Sequence, residues 1–478
     1  MKILLVNPPG VSGLKYVREG RCEQRLNSFQ YVMVPISLPL TAGTLEAGGH
    51  EVRIIDCVAQ ELGLESLLSE AEAYRPGLIF LNVATATSAG DLQVADALKR
   101  RIPVHLTAIG NHVTSLPEET LAASALDSVV RREPELTVRE LADILARGGD
   151  LSGVRGLSFK GPGGVVHNPD RPFNEDLDAL PFPARHLIDN DRYTLPVLNE
   201  PYTLVVSSRG CPHACIYCTA HQYYGRKVRL RSPANVVDEI QQCVEKHGLR
   251  NFTMWSDTFN IDRDFVLGVC AEIRRRGLEK RIRWMANGRV DRVDREMLAA
   301  MKEANCIGIS YGIESGDDAI LRNIRKGATA AQAEEAVRLT KEAGIEVLAH
   351  VILGLPGESV RSIRNTVDYI KRLDPDYAQF YCAIPFPKTE LEETAKREGW
   401  LIRGDYARYE LNQPILELPT LTLEELSRER SRAYRAFYLR PSYMAGRLAK
   451  CRSFGDVVTL FRQGWDFVRN WVLNRESA

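Results

Sequence analysis

Three cysteines within eight residues constrain this chain more than any other feature. In residues 207–220, SSRGCPHACIYCTA, Cys211, Cys215 and Cys218 form a Cys-x3-Cys-x2-Cys run with no fourth cysteine nearby. Ten cysteines in 478 residues would produce that spacing by chance on the order of 0.004 times. Thiolates are soft ligands suited to iron, and three of them hold three corners of a cubane cluster while leaving one iron open. The alternative is zinc, which needs a closed set of four ligands. His213 or His221 would have to complete it, and both lie so close to the cysteines that the loop would be strained. An open iron implies chemistry more than scaffolding.

The remaining seven cysteines (Cys22, Cys57, Cys243, Cys270, Cys306, Cys382 and Cys451) are scattered, as reduced core thiols would be. Cys382 stands out because it ends a predicted strand. Lys+Arg and Asp+Glu are both 62, so nothing in the charge balance points to a nucleic-acid partner. No apolar run approaches the about 20 residues needed to span a bilayer, and the opening MKILLVNPPG lacks a signal-peptide layout. A cytoplasmic protein is expected.

Residues 1–145 alternate short apolar runs with helical patterns. Strands are expected at 2–7, 51–56, 77–83, 104–110 and 127–131, with amphipathic stretches at 89–100 and 136–145 among the intervening helices. Strand–helix alternation implies a doubly wound parallel sheet, and five strands suggest the flavodoxin-like order with a crevice at their carboxyl ends. Loops at Pro8-Pro9-Gly10, residues 84–89 (ATATSA) and Gly110-Asn111-His112 would line it. Residues 146–200 read as a linker: a hairpin at 154–168 around GPGG, then the Pro-rich DLDALPFPARHLID.

Residues 201–395 repeat strand then helix six times, with strands at 203–207, 252–257, 282–286, 307–312, 347–353 and 378–384. Six units fit an incomplete parallel barrel, whose chemistry gathers at the strand carboxyl ends. The cysteine run follows the first strand, and WSDTF, Asn287 to Arg289, YGIESG and HVILGLPGE follow the next four. Glu358 reads as a helix cap, and Arg325 and Lys326 as a solvated helix end. Residues 396–478 form a helical C-terminal region with a Thr422/Glu425 capping box. Its apolar positions Leu448, Phe454, Leu460, Phe461, Trp465, Phe467 and Trp471 read as a packing face in preference to a peripheral membrane contact.

Taken together, the cysteine spacing, Tyr217 before the third cysteine and the strand-end motifs resemble the radical SAM superfamily. NPPG, LEAGGHEVRIID, IGNHVTSLPEE and VVRREPE, in that order ahead of the cysteines, are similar to the cobalamin-binding domain of its class B members. The resemblance implies a flavodoxin-like (Rossmann-type) cobalamin-binding domain, an incomplete (β/α)6 barrel and a helical C-terminal region. It implies three cofactors: a 4Fe-4S cluster on Cys211, Cys215 and Cys218, S-adenosylmethionine on the open iron, and cobalamin. Tyr217, Asp257 (for the methionyl ammonium), Arg289 (for a carboxylate), Glu314 (for the ribose) and Gly354 and Pro356 (around the adenine) would bind S-adenosylmethionine. Pro8, Thr85, Ser88, Gly110, Asn111 and His112 would face cobalamin. An Asp-x-His-x-x-Gly signature is absent, and 56–63 has no histidine, so no histidine is expected below the cobalt; His112 reads as lining the pocket.

The activity implied by the resemblance is reductive cleavage to a 5′-deoxyadenosyl radical and methylation of an unactivated carbon in a small, hydrophobic or natural-product-like substrate. An external electron donor such as flavodoxin or ferredoxin is implied. Two alternatives stay open: a radical cyclase or rearrangement without methyl transfer, and a non-catalytic corrinoid or metal carrier. Lys388, in AIPFPKT, stands where relatives usually carry glycine.

Overall fold

A computed structural model describes residues 1–10, 15–19, 24–25, 32–195, 199–401 and 406–449. Cys22, Cys451 and the apolar positions from Phe454 to Trp471 lie outside the described residues.

In the first domain the central strands Lys2–Asn7 and Leu78–Asn82 are buried on both sides. Ile3 and Leu5 of β1 (Lys2–Asn7) pack with Phe80 against the helices Ser37–Ala47 and Glu135–Ala146. Leu4 and Val6 point the other way, with Ile79 and Leu81, against Leu64–Tyr74 and Ser88–Arg101. A strand buried on both faces needs helices on both faces, the condition for a parallel sheet. Accordingly β1 pairs in parallel with β2 (Glu51–Asp56) and β3 (Leu78–Asn82), followed by β4 (His105–Ile109) and β5 (Ser128–Val130). The order β2-β1-β3-β4-β5 is the flavodoxin-like one, with its switch point between β1 and β3. The expected hairpin forms as β6 (Leu157–Gly161) and β7 (Gly164–His167), and it joins this sheet antiparallel to β5, so it extends the first domain's sheet.

Six further strands, β8 (Glu200–Val206), β9 (Asn251–Trp255), β10 (Arg283–Gly288), β11 (Cys306–Glu314), β12 (Glu346–Leu353) and β13 (Tyr377–Cys382), run parallel in chain order. Among the described residues β8 and β13 do not pair, which leaves the barrel open. Alternate residues of β12 are buried: Val347, Ala349, Val351 and Leu353 face the helices, while Leu348, His350 and Ile352 are only half-buried. Side-chain caps start each outer helix, from Ser232, Asp262, Asp294, Thr329 and Ser359.

Helix Leu423–Tyr438, capped by Thr422 and Glu425 as expected, covers the open edge at β13. The phenol oxygens of Tyr434 and Tyr438 accept the backbone N–H groups of Phe380 and Ala378, both at 3.1 Å. Arg430 Nε donates to the Phe380 carbonyl at 2.8 Å, and Tyr438 donates to that of Ala378 at 2.8 Å. Side chains thus satisfy an edge that another strand could otherwise invade. Cys382 is a buried thiol, lifted to about 11 by burial. No helix among the described residues is long and apolar enough to cross a membrane.

The connecting segment is locked down by charge. Arg185, 1% exposed, donates to Glu239 at 2.6 Å and to the Leu204 carbonyl at 2.6 Å, and Arg231 holds the other Glu239 oxygen. Removing one partner of a buried ion group strands the others without compensation. Glu239→Ala is expected to lower stability by about 3–5 kcal/mol, read as a lower urea midpoint; an unchanged midpoint would show the group to be dispensable.

Candidate active site between the two sheets

The cysteine loop leaves β8 and is closed at its base by a short antiparallel pair, Ser208–Arg209 with Arg229–Leu230. Gly210 turns the chain at φ +87, and a Cβ there would lie 2.1 Å from the Lys227 carbonyl, so only glycine fits. Cys211 donates its N–H to the Gly225 carbonyl at 3.2 Å, Cys218 to that of Cys215 at 3.2 Å, and Ala220 N–H points at Cys218 Sγ at 3.5 Å. None of Cys211, Cys215 and Cys218 forms a disulfide among the described residues. His221 is occupied by the His213 carbonyl at 2.8 Å. Among the described residues no three His, Cys, Asp or Glu side chains are gathered tightly enough to hold a single metal ion. A cubane instead spreads its thiolates over three corners, the arrangement this loop suits.

Strand ends of the barrel converge on that loop. Asp257, just past β9, accepts the Gly210 N–H at 3.1 Å. Glu314 ends β11 in a left-handed conformation, φ +64, unusual for a side chain with a Cβ. Its Oε1 accepts from the Tyr217 hydroxyl at 2.9 Å and from Lys326 Nζ at 2.7 Å. Two residues expected to share a ligand are therefore in contact. Lys326 corrects the expectation of a solvated helix end: it is 6% exposed and is the counter-charge of Glu314. Its neighbour Arg325 is exposed and pairs with Glu390. Arg289, also buried, spends Nε on Asp291 at 2.8 Å and Nη2 on the Lys326 carbonyl at 2.9 Å, so it holds the turn that carries Lys326.

Glu358 is not a helix cap, because Ser359 fills that position. Instead its Oε2 accepts the N–H groups of Gly354 (2.6 Å) and Leu355 (3.0 Å), folding the Gly354–Pro356 turn from within. Its Oε1 is buried without a hydrogen-bond partner, and burial lifts the carboxyl to about 8, so the group is neutral near pH 7. Lys388 adopts φ +62, the conformation that makes glycine the usual choice there.

The first domain supplies the opposite wall. Gly110 has φ +125, and a Cβ on it would sit 2.3 Å from the Val83 carbonyl. Pro8 is tied to the neighbouring loop by Arg18, a fully buried guanidinium that donates to the Pro8 and Pro9 carbonyls, to Thr87 and to Asp91. Sequence reasoning missed Arg18, since one arginine in a loop carries no signal. Ser88 donates to the Thr85 carbonyl at 3.0 Å within the 3-10 turn Thr85–Thr87. His112 packs edge-on to Tyr406 with ring centroids 5.2 Å apart, and burial lowers it to about 4, so the ring is neutral.

A cavity lies between the walls, lined by Asn82, Gly110 and Asn111 from one side and by Thr219, Trp255 and Asp257 from the other. Arg18, Glu19, Tyr223 and Tyr224 also line it. Pro8, Thr85, Ser88 and His112 stand in the adjoining loops and are not among its lining residues. Cys211, Cys215 and Cys218 are likewise not among the lining residues, although Thr219 and Ala220, which directly follow Cys218, are; a wall that ends beside the cysteines, facing a close-approach glycine loop without a lining histidine, fits a cluster near a corrinoid.

Comparison with known proteins gives the same division. Residues 205–370 match the radical SAM superfamily and residues 25–142 the B12 binding domain. An uncharacterized methyltransferase of Pyrococcus horikoshii is 32% identical over 446 residues, 93% of this chain and 94% of that protein. The anaerobic magnesium-protoporphyrin IX monomethyl ester cyclase of Rubrivivax gelatinosus is 26% identical, covering 86% of this chain and 74% of the cyclase. In fold, the chain is similar to the radical S-adenosylmethionine methyltransferase TsrM from Kitasatospora setae, with TM-score 0.73, 18% identity, and coverage of 97% of this chain and 98% of that one. The chain therefore belongs to the class B radical SAM family, enzymes whose cofactors are a 4Fe-4S cluster, S-adenosylmethionine and cobalamin.

Proposed function

We propose that this enzyme methylates an unactivated carbon of a small organic substrate held between its two domains. The observation that carries the reading is a cavity shared by the two domains, with Thr219 and Ala220, just past the third cysteine, and Asp257 on one wall and Gly110 and Asn111 on the other. Bound cluster and S-adenosylmethionine would supply one-electron cleavage of a carbon–sulfur bond, and cobalamin a transferable methyl group. The chain's own residues position and shield. Asp257 would accept from the methionyl ammonium, and Glu314, oriented by Tyr217 and Lys326, from the ribose. The Gly354–Pro356 turn, braced by Glu358, would wall the adenine. Tyr223, Tyr224 and Trp255 give the cavity aromatic surface beside the polar Asn82, Asn111 and Asp257, which suits a substrate with an apolar body and a polar handle. An external flavodoxin or ferredoxin would deliver the electron.

A second reading is cyclisation or rearrangement without methyl transfer, favoured by the name of the Rubrivivax gelatinosus relative. Methyl-labelled S-adenosylmethionine separates the two. With the anaerobically reconstituted protein, label is expected in the substrate-derived product; turnover that leaves the product unlabelled would overturn methylation. Cys215→Ala should lose both bound iron and 5′-deoxyadenosine formation while still binding cobalamin.

Lys326→Met removes the counter-charge of a buried carboxylate. Affinity for S-adenosylmethionine is expected to fall at least about tenfold by equilibrium dialysis, and unchanged affinity would rule out this role for the pair.

Glu358 makes stability depend on pH. The unfolded carboxyl releases its proton near 4.5, whereas the folded one keeps it to about 8. Its contribution is thus fully present below pH 4.5 and is lost as pH rises to about 8. Thermal midpoints should fall between about pH 5 and 8 in the native protein, with a shallower fall in Glu358→Gln, whose amide oxygen still accepts both N–H groups. Equal slopes in the two proteins would contradict this assignment.

A further inference from the structure

The two ends of the cysteine loop are held by the first domain as well as by the barrel that carries it. Arg209, two residues before Cys211, donates from Nη1 and Nη2 to Glu135 at 3.1 and 2.5 Å. Arg229, its antiparallel partner at the far end of the loop, pairs with Glu133 at 2.6 Å, and Arg209 reaches Glu133 at 3.6 Å. Both carboxylates come from RREPE, the turn between β5 and the helix Glu135–Ala146. All four side chains are at most 8% exposed, so two positive and two negative charges sit desolvated across the domain boundary. Planar guanidinium against carboxylate is the geometry that holds position as well as charge.

The middle of the loop is fastened elsewhere. Ile216, next to Cys215, donates its N–H to the Ile324 carbonyl at 3.2 Å and accepts from the Leu391 N–H at 3.0 Å, both on the barrel side. The segment leading into Cys211 is thus tied to the first domain through Arg209 and to the barrel through the Gly210 N–H on Asp257, whereas Cys215 is fastened on the barrel side. A second tie, Ser115 Oγ to Gln222 Oε1 at 2.6 Å, joins the short helix after Gly110 to the one after Cys218.

We propose that Glu133 and Glu135 are positioning residues for the iron–sulfur site: by clamping Arg209 and Arg229 they set the spacing of Cys211 against Cys215 and Cys218, so that the cobalamin-binding domain completes the cluster loop. The proposal rests on the reading of the three cysteines as cluster ligands. Carboxylates that merely glued the domains together would have no reason to take both of their partners from the base of one loop.

Glu135→Gln keeps the size of the side chain and removes its charge. In the full-length protein, reconstituted anaerobically with iron and sulfide, the expected results are cobalamin bound as in the native protein by visible absorption, iron and sulfide per chain reduced, and S-adenosylmethionine cleavage down about tenfold or more. The electron paramagnetic resonance signal of any residual reduced cluster should no longer shift on adding S-adenosylmethionine, and Glu135→Asp should restore part of that shift. A Glu135→Gln protein with native iron content and a native shift would overturn the proposal. Should it fail to fold, Arg209→Lys, which keeps the charge but loses the planar fork, decides the matter by the same readouts: the same defect supports the clamp, and native behaviour overturns it. A native protein that takes up no iron would instead sink the cluster reading itself.

Discussion

Everything in this structure depends on the way a parallel sheet must be buried. Helices cover both faces of the first sheet and the outer face of the second, so the carboxyl ends of the strands are the places where loops can meet a ligand. The two domains turn those ends toward each other, and an apolar seam of Val34, Ile36 and Leu40 against Tyr202, Leu204 and Val206 fixes the arrangement. The cavity is therefore a consequence of topology, and its chemistry is a matter of which side chains the loops carry.

Those loops are held largely by paired charge. Arg18 with Asp91, Arg185 and Arg231 with Glu239, Lys326 with Glu314, and Arg209 and Arg229 with Glu135 and Glu133 are all buried. Such groups contribute little net stability relative to apolar packing, because desolvation offsets most of the attraction. What they supply is direction, since a misplaced partner would leave a bare charge out of water. A site that has to hold two large cofactors at a fixed separation needs that kind of constraint more than it needs extra stability.

The C-terminal helix solves a different problem. An incomplete barrel leaves β13 with unpaired backbone groups, and Arg430, Tyr434 and Tyr438 satisfy them with side chains, which keeps the edge available to no other strand. The same region reaches the first domain, where Tyr406 packs on His112 and Tyr16 donates to Glu410 at 3.0 Å.

Periodicity and motif were enough to read both α/β units, their order and the six barrel strands, because hydrophobic alternation is a local property of the chain. Tyr217 and Glu314 were each read from a separate motif as facing S-adenosylmethionine, and the fold brings the two side chains into direct contact. Other features depended on partners far away in sequence. Lys326 looked like a solvated helix end because its neighbours are polar, yet the fold buries it on Glu314. Glu358 sits where a cap belongs by position, but Ser359 caps the helix and the carboxyl turns back on Gly354. Glu133 and Glu135 carried only a family likeness; their bond to Arg209 and Arg229 joins residues more than seventy positions apart for the closest pair, Arg209 and Glu135. The sequence alone determined which chemistry the chain can hold, since ligand type and local pattern are written residue by residue. Only the tertiary structure decided which charges meet, because the cost of burying one is set by whatever the fold places beside it.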